Sequence, residues 1–237
     1  MSIDIEQGFG LPPVAEAIGP FATSDFYRAV SRHDEGEPLL VGRDDAFIPL
    51  RRVGDVVLFA GDPDVTDYHT PFGDGSEGLI AEVADDHSPR RFVLDSLPEE
   101  AAKPLMSGLE GAGWSVESRT HQITAVLDLP DTFDDYLVEI GKKERHEMRR
   151  KRRRYESAVG PVVLETHRGP GWAFDEFVRL HRLAEGEKGR FLTDERLEFF
   201  RCLAGLGGWR IGLLKTPAGG AAAVVFGYSD PSGYYLY

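Results

Sequence analysis

The sequence predicts an α/β fold of the mixed-sheet, α+β kind, and three observations carry that expectation. Short apolar runs alternate with segments of helical period throughout the first half. A long, densely charged segment of helical period follows Pro130-Asp131. Beyond Trp209 come three strand-like runs joined by tight turns.

Taken in order, Thr23 to Arg32 reads as a helix, and Pro38–Val41, Ala46–Leu50 and Asp55–Ala60 read as strands. Gly78–Ala84 is a weakly marked helix, Arg91–Leu94 a strand, and Pro98–Gly111 a helix with Gly113 just past its end. Gln122–Leu129 is strand-like again. Asp131 is the N-cap expected for the best-marked helix, which the pattern extends to about Ser157, with Asp134 and Asp135 where the helix dipole favours anions. Gly160-Pro161 ends it, and Val162–Thr166 forms a strand. Ala173–Glu187 and Asp194–Leu206 are amphipathic helices with aromatic faces. Trp209–Lys215, Ala221–Tyr228 and Gly233–Tyr237 are the closing strands. A last strand that stops in mid-sheet leaves an edge, so the expectation is a fragment or an edge covered by another element.

Composition narrows the class. An apolar share of 41% and an aromatic share of 11% belong to a globular chain, and 237 residues suffice for two domains. No apolar run is long enough to cross a bilayer, and the start lacks a secretory signal, so a cytoplasmic location is the default expectation. The single cysteine, Cys202, has no internal disulfide partner and sits in a pattern that suits a small buried side chain.

The net charge of −13 is unevenly spread: residues 1–121 hold 9 basic and 23 acidic side chains, and residues 122–237 hold 18 and 17. Residues 141–156 alone hold 9 basic against 3 acidic. On a helix, Lys142, Arg145, Arg149, Arg152 and Arg153 share an arc of roughly 100°. Phe133, Leu137, Ile140, Met148 and Tyr155 share another face, which could pack on a core. The basic arc is open to two readings, a solvated or acid-docked face, or a site for phosphates or carboxylates. Nucleic acid is the least favoured partner, because the rest of the chain is acidic and no aromatic platform accompanies the helix.

Gly73-Asp74-Gly75-Ser76-Glu77-Gly78 fits a dinucleotide-binding spacing, with Asp95 downstream, yet about a dozen residues separate it from the strand ending near Ala60. It is therefore expected to be a flexible loop. The histidines at 33, 69, 87, 121, 146, 167 and 181 show no metal-ligand spacing, and no metal is expected. Asp67, Tyr68 and His69 either line a cleft between the two halves or form an ordinary capped turn before Thr70-Pro71.

Several runs together resemble the cellulose-biosynthesis-type acetyltransferase branch of the GNAT superfamily. They are Asp134-Asp135-Tyr136-Leu137, Lys142-Lys143-x-Arg145, and Met148-Arg149-Arg150-Lys151-x-Arg153-Arg154. Leu180-His181-Arg182, Lys188, Phe191 and Phe199-Phe200 follow in order, as do Trp209-Arg210-Ile211, Ala221-Ala222-Ala223 and Tyr234-Tyr235-Leu236-Tyr237. In the first half Pro49-Leu50, Asp67-Tyr68 and Leu97-Pro98 are similar.

The resemblance implies two GNAT-like acyl-CoA N-acyltransferase halves, residues 1–121 and 122–237, the second incomplete before the loop that holds the acyl-CoA pyrophosphate. It is related in architecture to Fem-type aminoacyl transferases. Acetyl-CoA or another acyl-CoA is then the co-substrate, and the cofactor-binding residues lie outside the sequence. Lys142, Arg145, Arg149, Arg152, Arg153, Asp67 and Tyr68 are the expected contacts to an acceptor, an amine or hydroxyl on an anionic sugar or polysaccharide precursor. His181 is the candidate base, since imidazole removes a proton near neutral pH and the residue lies in the family-like run. A helix histidine bonded to nearby backbone is the competing reading, and Glu185 and Glu187 are alternative bases. Two other functions stay open, a Fem-like transferase using an aminoacyl-tRNA donor and a non-catalytic module that holds an anionic partner.

Overall fold

The computed structural model describes residues 4–237 apart from 17, 88, 121, 124–126, 129 and 232. The fold is mixed α/β, and the chain divides into two compact units. The first comprises Met1–Val116, Arg168–Ile211 and Val225–Tyr237, and the second Glu117–His167 and Gly212–Val224.

The first unit begins with α1 (Ile5–Phe9), a 3-10 turn (Gly19–Ala22) and α2 (Ser24–Val30). Thr23 starts α2 by accepting from the Phe26 N–H, satisfying one of the donors a helix start leaves free. Four strands follow, β1 (Glu37–Arg43), β2 (Ala46–Val53), β3 (Val56–Phe59) and β4 (Phe72–Gly73), then α3 (Ser76–Asp86), β5 (Arg91–Val93) and α4 (Glu99–Gly111). The sheet runs β1-β2-β3-β5, antiparallel except for the parallel β3/β5 pair, and β4 pairs with the start of β2.

β2 reads Ala-Phe-Ile-Pro-Leu without alternation because both its faces are covered. Ala46, Ile48 and Leu50 meet Leu79, Ile80, Val83, Leu105 and Leu109 of the two helices, while Phe47 meets Phe72 and Phe9 on the opposite face. Pro49 sits where the β4 pairing, which ends at Phe47, has stopped and the β3 pairing, which starts at Leu50, has not begun. Its missing N–H therefore costs no ladder bond there. Each fully buried side chain of this size contributes about 1.5–3 kcal/mol.

The same unit contains α7 (Trp172–Arg182), α8 (Glu187–Phe191) and α9 (Asp194–Gly205), together with the ends of β7 (Trp209–Lys215) and β8 (Ala221–Asp230) and all of β9 (Gly233–Leu236). The aromatic faces read from the sequence form one cluster. Phe177 stacks on Phe200 at 5.8 Å, and Trp209 stacks on Phe226 at 5.0 Å with the Tyr237 ring edge-on to the indole. Cys202 is half-buried, with Arg32 Nη1 3.9 Å from its sulfur.

The second unit holds α5 (Phe133–Glu139), α6 (Lys142–Val159), β6 (Val163–His167) and the adjoining stretches of β7 and β8. The second sheet is ordered β6-β7-β8-β9.

Four expectations are corrected. The long helix is two, because Ile140 and Gly141 are extended, with ψ 153° and 149°, and its cap is Thr132 rather than Asp131. The break splits the expected apolar stripe: Leu137 is buried, whereas Phe133 is 56% exposed, Met148 38% and Tyr155 37%, and α6 buries no side chain. Residues 73–78 are not a loop, since β4 ends at Gly73 and α3 starts at Ser76. The helix from Ala173 ends at Arg182, and Gly186, at φ 72°, separates it from α8. Of the strand expected over 122–129, residues 124–126 and 129 lie outside the described set.

Candidate functional site

The first unit contains a cleft of about 540 Å³, whose polar lining includes Asp34, Glu35, Arg51, Asp62, Glu195 and Arg196. Asp34 follows α2, Arg51 comes from β2, Asp62 from the loop after β3, and Glu195 and Arg196 from the first turn of α9. Val30, Val65 and Phe199 supply an apolar wall. A concave site of this size with a few convergent polar groups is a candidate binding site.

Each arginine of the lining is held by an aspartate of the lining. Arg51 Nη1 lies 2.5 Å from Asp34 Oδ1, with the two side chains only 13% and 9% exposed. Arg51 also donates to the Glu35 and Phe59 carbonyls, and Asp34 Oδ2 accepts from the Gly61 N–H at 2.8 Å. Burial lifts the Asp34 carboxyl above the ordinary aspartate range, against the opposing pull of that N–H and of Arg51. Arg196 reaches Asp62 at 3.4 Å and Asp64 at 2.5 Å while its guanidinium lies 4.4 Å from the centre of the Phe191 ring. With Arg51 and Arg196 committed, the carboxylates of Glu35 and Glu195 leave the cleft with acidic character.

His181 lies on α7 of the same unit, its ring beside Phe177 at 5.8 Å and Phe191 at 5.9 Å. Its Nδ1 is buried and finds no hydrogen-bond partner outside its own residue. Burial, reinforced by Lys188, lowers its pKa below the usual histidine value, so the ring is neutral at pH 7. Asp67 is exposed, and Tyr68 packs its ring 6.1 Å from Phe21; neither lines the cleft.

In the second unit, α6 sorts its cations into two groups. Arg145 donates to the Leu137 and Val138 carbonyls at 2.7 and 3.3 Å, closing the C-terminal end of α5. Arg152 pairs with Glu156 at 2.8 Å, and Arg150 and Lys151 share Glu147. Lys142, Arg149 and Arg153 are exposed and have no carboxylate within salt-bridge distance among the described residues.

Residues 142–237 match the family model described as acetyltransferase (GNAT) domain, a match that begins at the first residue of α6 and runs through β9. It supports the GNAT superfamily and acyl transfer as the chemistry in general. No curated protein matches the chain. Among the described residues no set of His, Cys, Asp and Glu side chains is arranged to hold a metal, and no helix is long and apolar enough to cross a membrane.

The residues lining the cleft were not singled out by the sequence. Positions 34, 51, 62 and 196 share no spacing, and only the turn Gly61-Asp62-Pro63-Asp64, with two carboxylates on one short loop, signalled any of it.

Proposed function

We propose that this chain is an acyltransferase that moves an acetyl or other acyl group from acyl-CoA to an amine or hydroxyl, with residues 1–121 and 122–237 as two GNAT-like halves. The observation that carries the reading is the acetyltransferase-domain match across α6 to β9. The acceptor nitrogen or oxygen bonds to the thioester carbonyl carbon, the carbon–sulfur bond breaks, and CoA leaves as the thiol with the acceptor's proton. His181 takes that proton through Nε2, a role its neutral ring at pH 7 suits.

The acceptor we propose is an anionic sugar or polysaccharide precursor. Support comes from Lys142, Arg149 and Arg153, which have no carboxylate within salt-bridge distance among the described residues; Arg145 and Arg152 act on helix order instead. Asp67 and Tyr68 remain proposed acceptor contacts.

Titration calorimetry with acetyl-CoA of the protein expressed from its whole coding sequence, followed by a thiol-release assay over amino-sugar and uronic-acid acceptors, tests this. Saturable donor binding and acceptor-dependent thiol release, reduced at least tenfold by His181→Gln, are expected. The absence of donor binding and of thiol release with every acceptor would sink it. The same cations favour a second reading, a Fem-like transferase using aminoacyl-tRNA. Under that reading tRNA affinity falls steeply with salt, and Arg149→Ala and Arg153→Ala flatten the slope.

A further inference from the structure

Besides His181 Nδ1, two buried polar side-chain atoms of the first unit have no hydrogen-bond partner among the described residues. Thr66 is 2% exposed and His69 5%, and neither Thr66 Oγ1 nor His69 Nε2 makes a hydrogen bond. An unmatched buried donor or acceptor loses its water bonds with nothing in return.

The tautomer of the neutral ring follows from its other contacts. Nδ1 lies 2.9 Å from the Asp95 carbonyl oxygen and 3.5 Å from Asp95 Oδ1, both acceptors, so in the neutral ring Nδ1 carries the proton and Nε2 presents a lone pair. The ring cannot turn away: it stacks on Phe59 at 5.0 Å and 9°, and the His69 backbone N–H donates to the Ser96 carbonyl at 2.8 Å.

Thr66 and His69 both line one small cavity of about 20 Å³, walled otherwise by side chains such as Phe21, Phe26 and Phe59. Their orphan atoms also converge on the bare side of Gly61, where a Cβ would lie 2.5 Å from Oγ1 and 3.3 Å from Nε2. A buried water needs about 10–15 Å³ and two or more polar partners. The cavity meets both conditions.

We infer that this cavity is a binding site for one internal water molecule, which donates to His69 Nε2 and shares a second hydrogen bond with Thr66 Oγ1. The water ties down the inner side of the 61–69 loop. The outer side of that loop carries Asp62 and Asp64 to Arg196, and its Gly61 N–H holds Asp34. The site therefore positions one wall of the cleft, whatever reaction the protein performs.

Thr66→Val, which keeps the shape and removes the hydroxyl, separates a wet cavity from a dry one by sign. A bound water loses a partner, and the melting temperature falls by a few degrees. In a dry cavity an orphan hydroxyl disappears, and the melting temperature rises. A high-resolution crystal structure of the unmodified protein decides independently of any variant's folding. A solvent peak within hydrogen-bond distance of both atoms is expected, with nitrogen-15 shifts of His69 showing the proton on Nδ1. An empty cavity there, or a stabilised Thr66→Val protein, overturns the inference.

Discussion

Replacing Arg51 by methionine probes the one ion pair in the cleft that is almost wholly removed from water. The substitution keeps the apolar stem but leaves Asp34, 9% exposed, without its arginine and with the Gly61 N–H still donating to it, and frees the Glu35 and Phe59 carbonyls. Stranding one member of a buried pair costs about 3–5 kcal/mol, most of a small domain's margin. The double variant Arg51→Met/Asp34→Leu removes the stranded charge, so its loss should be smaller than the sum of the single losses by about 0.5–3 kcal/mol. The pH dependence has a definite sign. Without Arg51 the Asp34 pKa, already above its ordinary value of 3.8, rises further, so the folded state binds this proton more tightly than the unfolded state. The deficit of Arg51→Met is then largest at neutral pH and shrinks as the pH falls from the raised folded value towards 3.8. Urea unfolding followed by tryptophan fluorescence at pH 7 and at about pH 4.5 measures both effects. A loss below about 1 kcal/mol, or a deficit that grows on acidification, refutes the reasoning.

Three further outcomes are expected. Because His181 has a folded pKa below 6.5, the unfolded chain takes its proton first, and the stability this ring contributes above that pH is lost as the pH falls from 6.5 to the folded value. His181→Gln should therefore flatten melting temperature against pH below 6.5, and an unchanged slope would show the ring is not held neutral. Gly73→Ala places a Cβ 2.0 Å from the Asp45 carbonyl oxygen at φ +75°, so a loss of more than about 2 kcal/mol in chemical denaturation is expected; tolerance would mean that this glycine is not required by packing. Arg149→Ala and Arg153→Ala should change stability by less than about 0.5 kcal/mol while lowering the salt needed to elute the protein from a heparin column, since both side chains are exposed. Unaltered elution would remove α6 from the list of anion contacts.

Most strands and helices were legible because their period and their punctuation agree. Trp209–Lys215 runs between the same residues in sequence and structure, and Thr23, Gly160 and Gly207-Gly208 mark ends that the backbone respects. The two helices read as one at 131–157 show where local signals fail. Ile140 suits a helix by type, and one extended residue beside a glycine gives no warning in the periodicity. The stretch around Gly73 failed for the opposite reason. Its glycines looked like a loop, but at Gly73 a side chain is excluded by the Asp45 backbone, a constraint set by the β1–β2 turn 28 positions earlier. The cleft stayed hidden because its arginine–aspartate pairs join segments far apart in sequence, and only the folded chain brings them within hydrogen-bond reach.

That separation also bears on the order in which the protein assembles. Arg196 meets Asp62 and Asp64 across 134 and 132 positions, and the Tyr237 hydroxyl donates to the Val65 carbonyl across 172. Contacts of such span repay their chain-closure entropy only after local structure exists, which makes them slow to form. During synthesis the 61–69 loop leaves the ribosome early and stays without these ties until α9 and β9 have followed, so this wall of the cleft is completed late, after the sheet and helices around it are already in place.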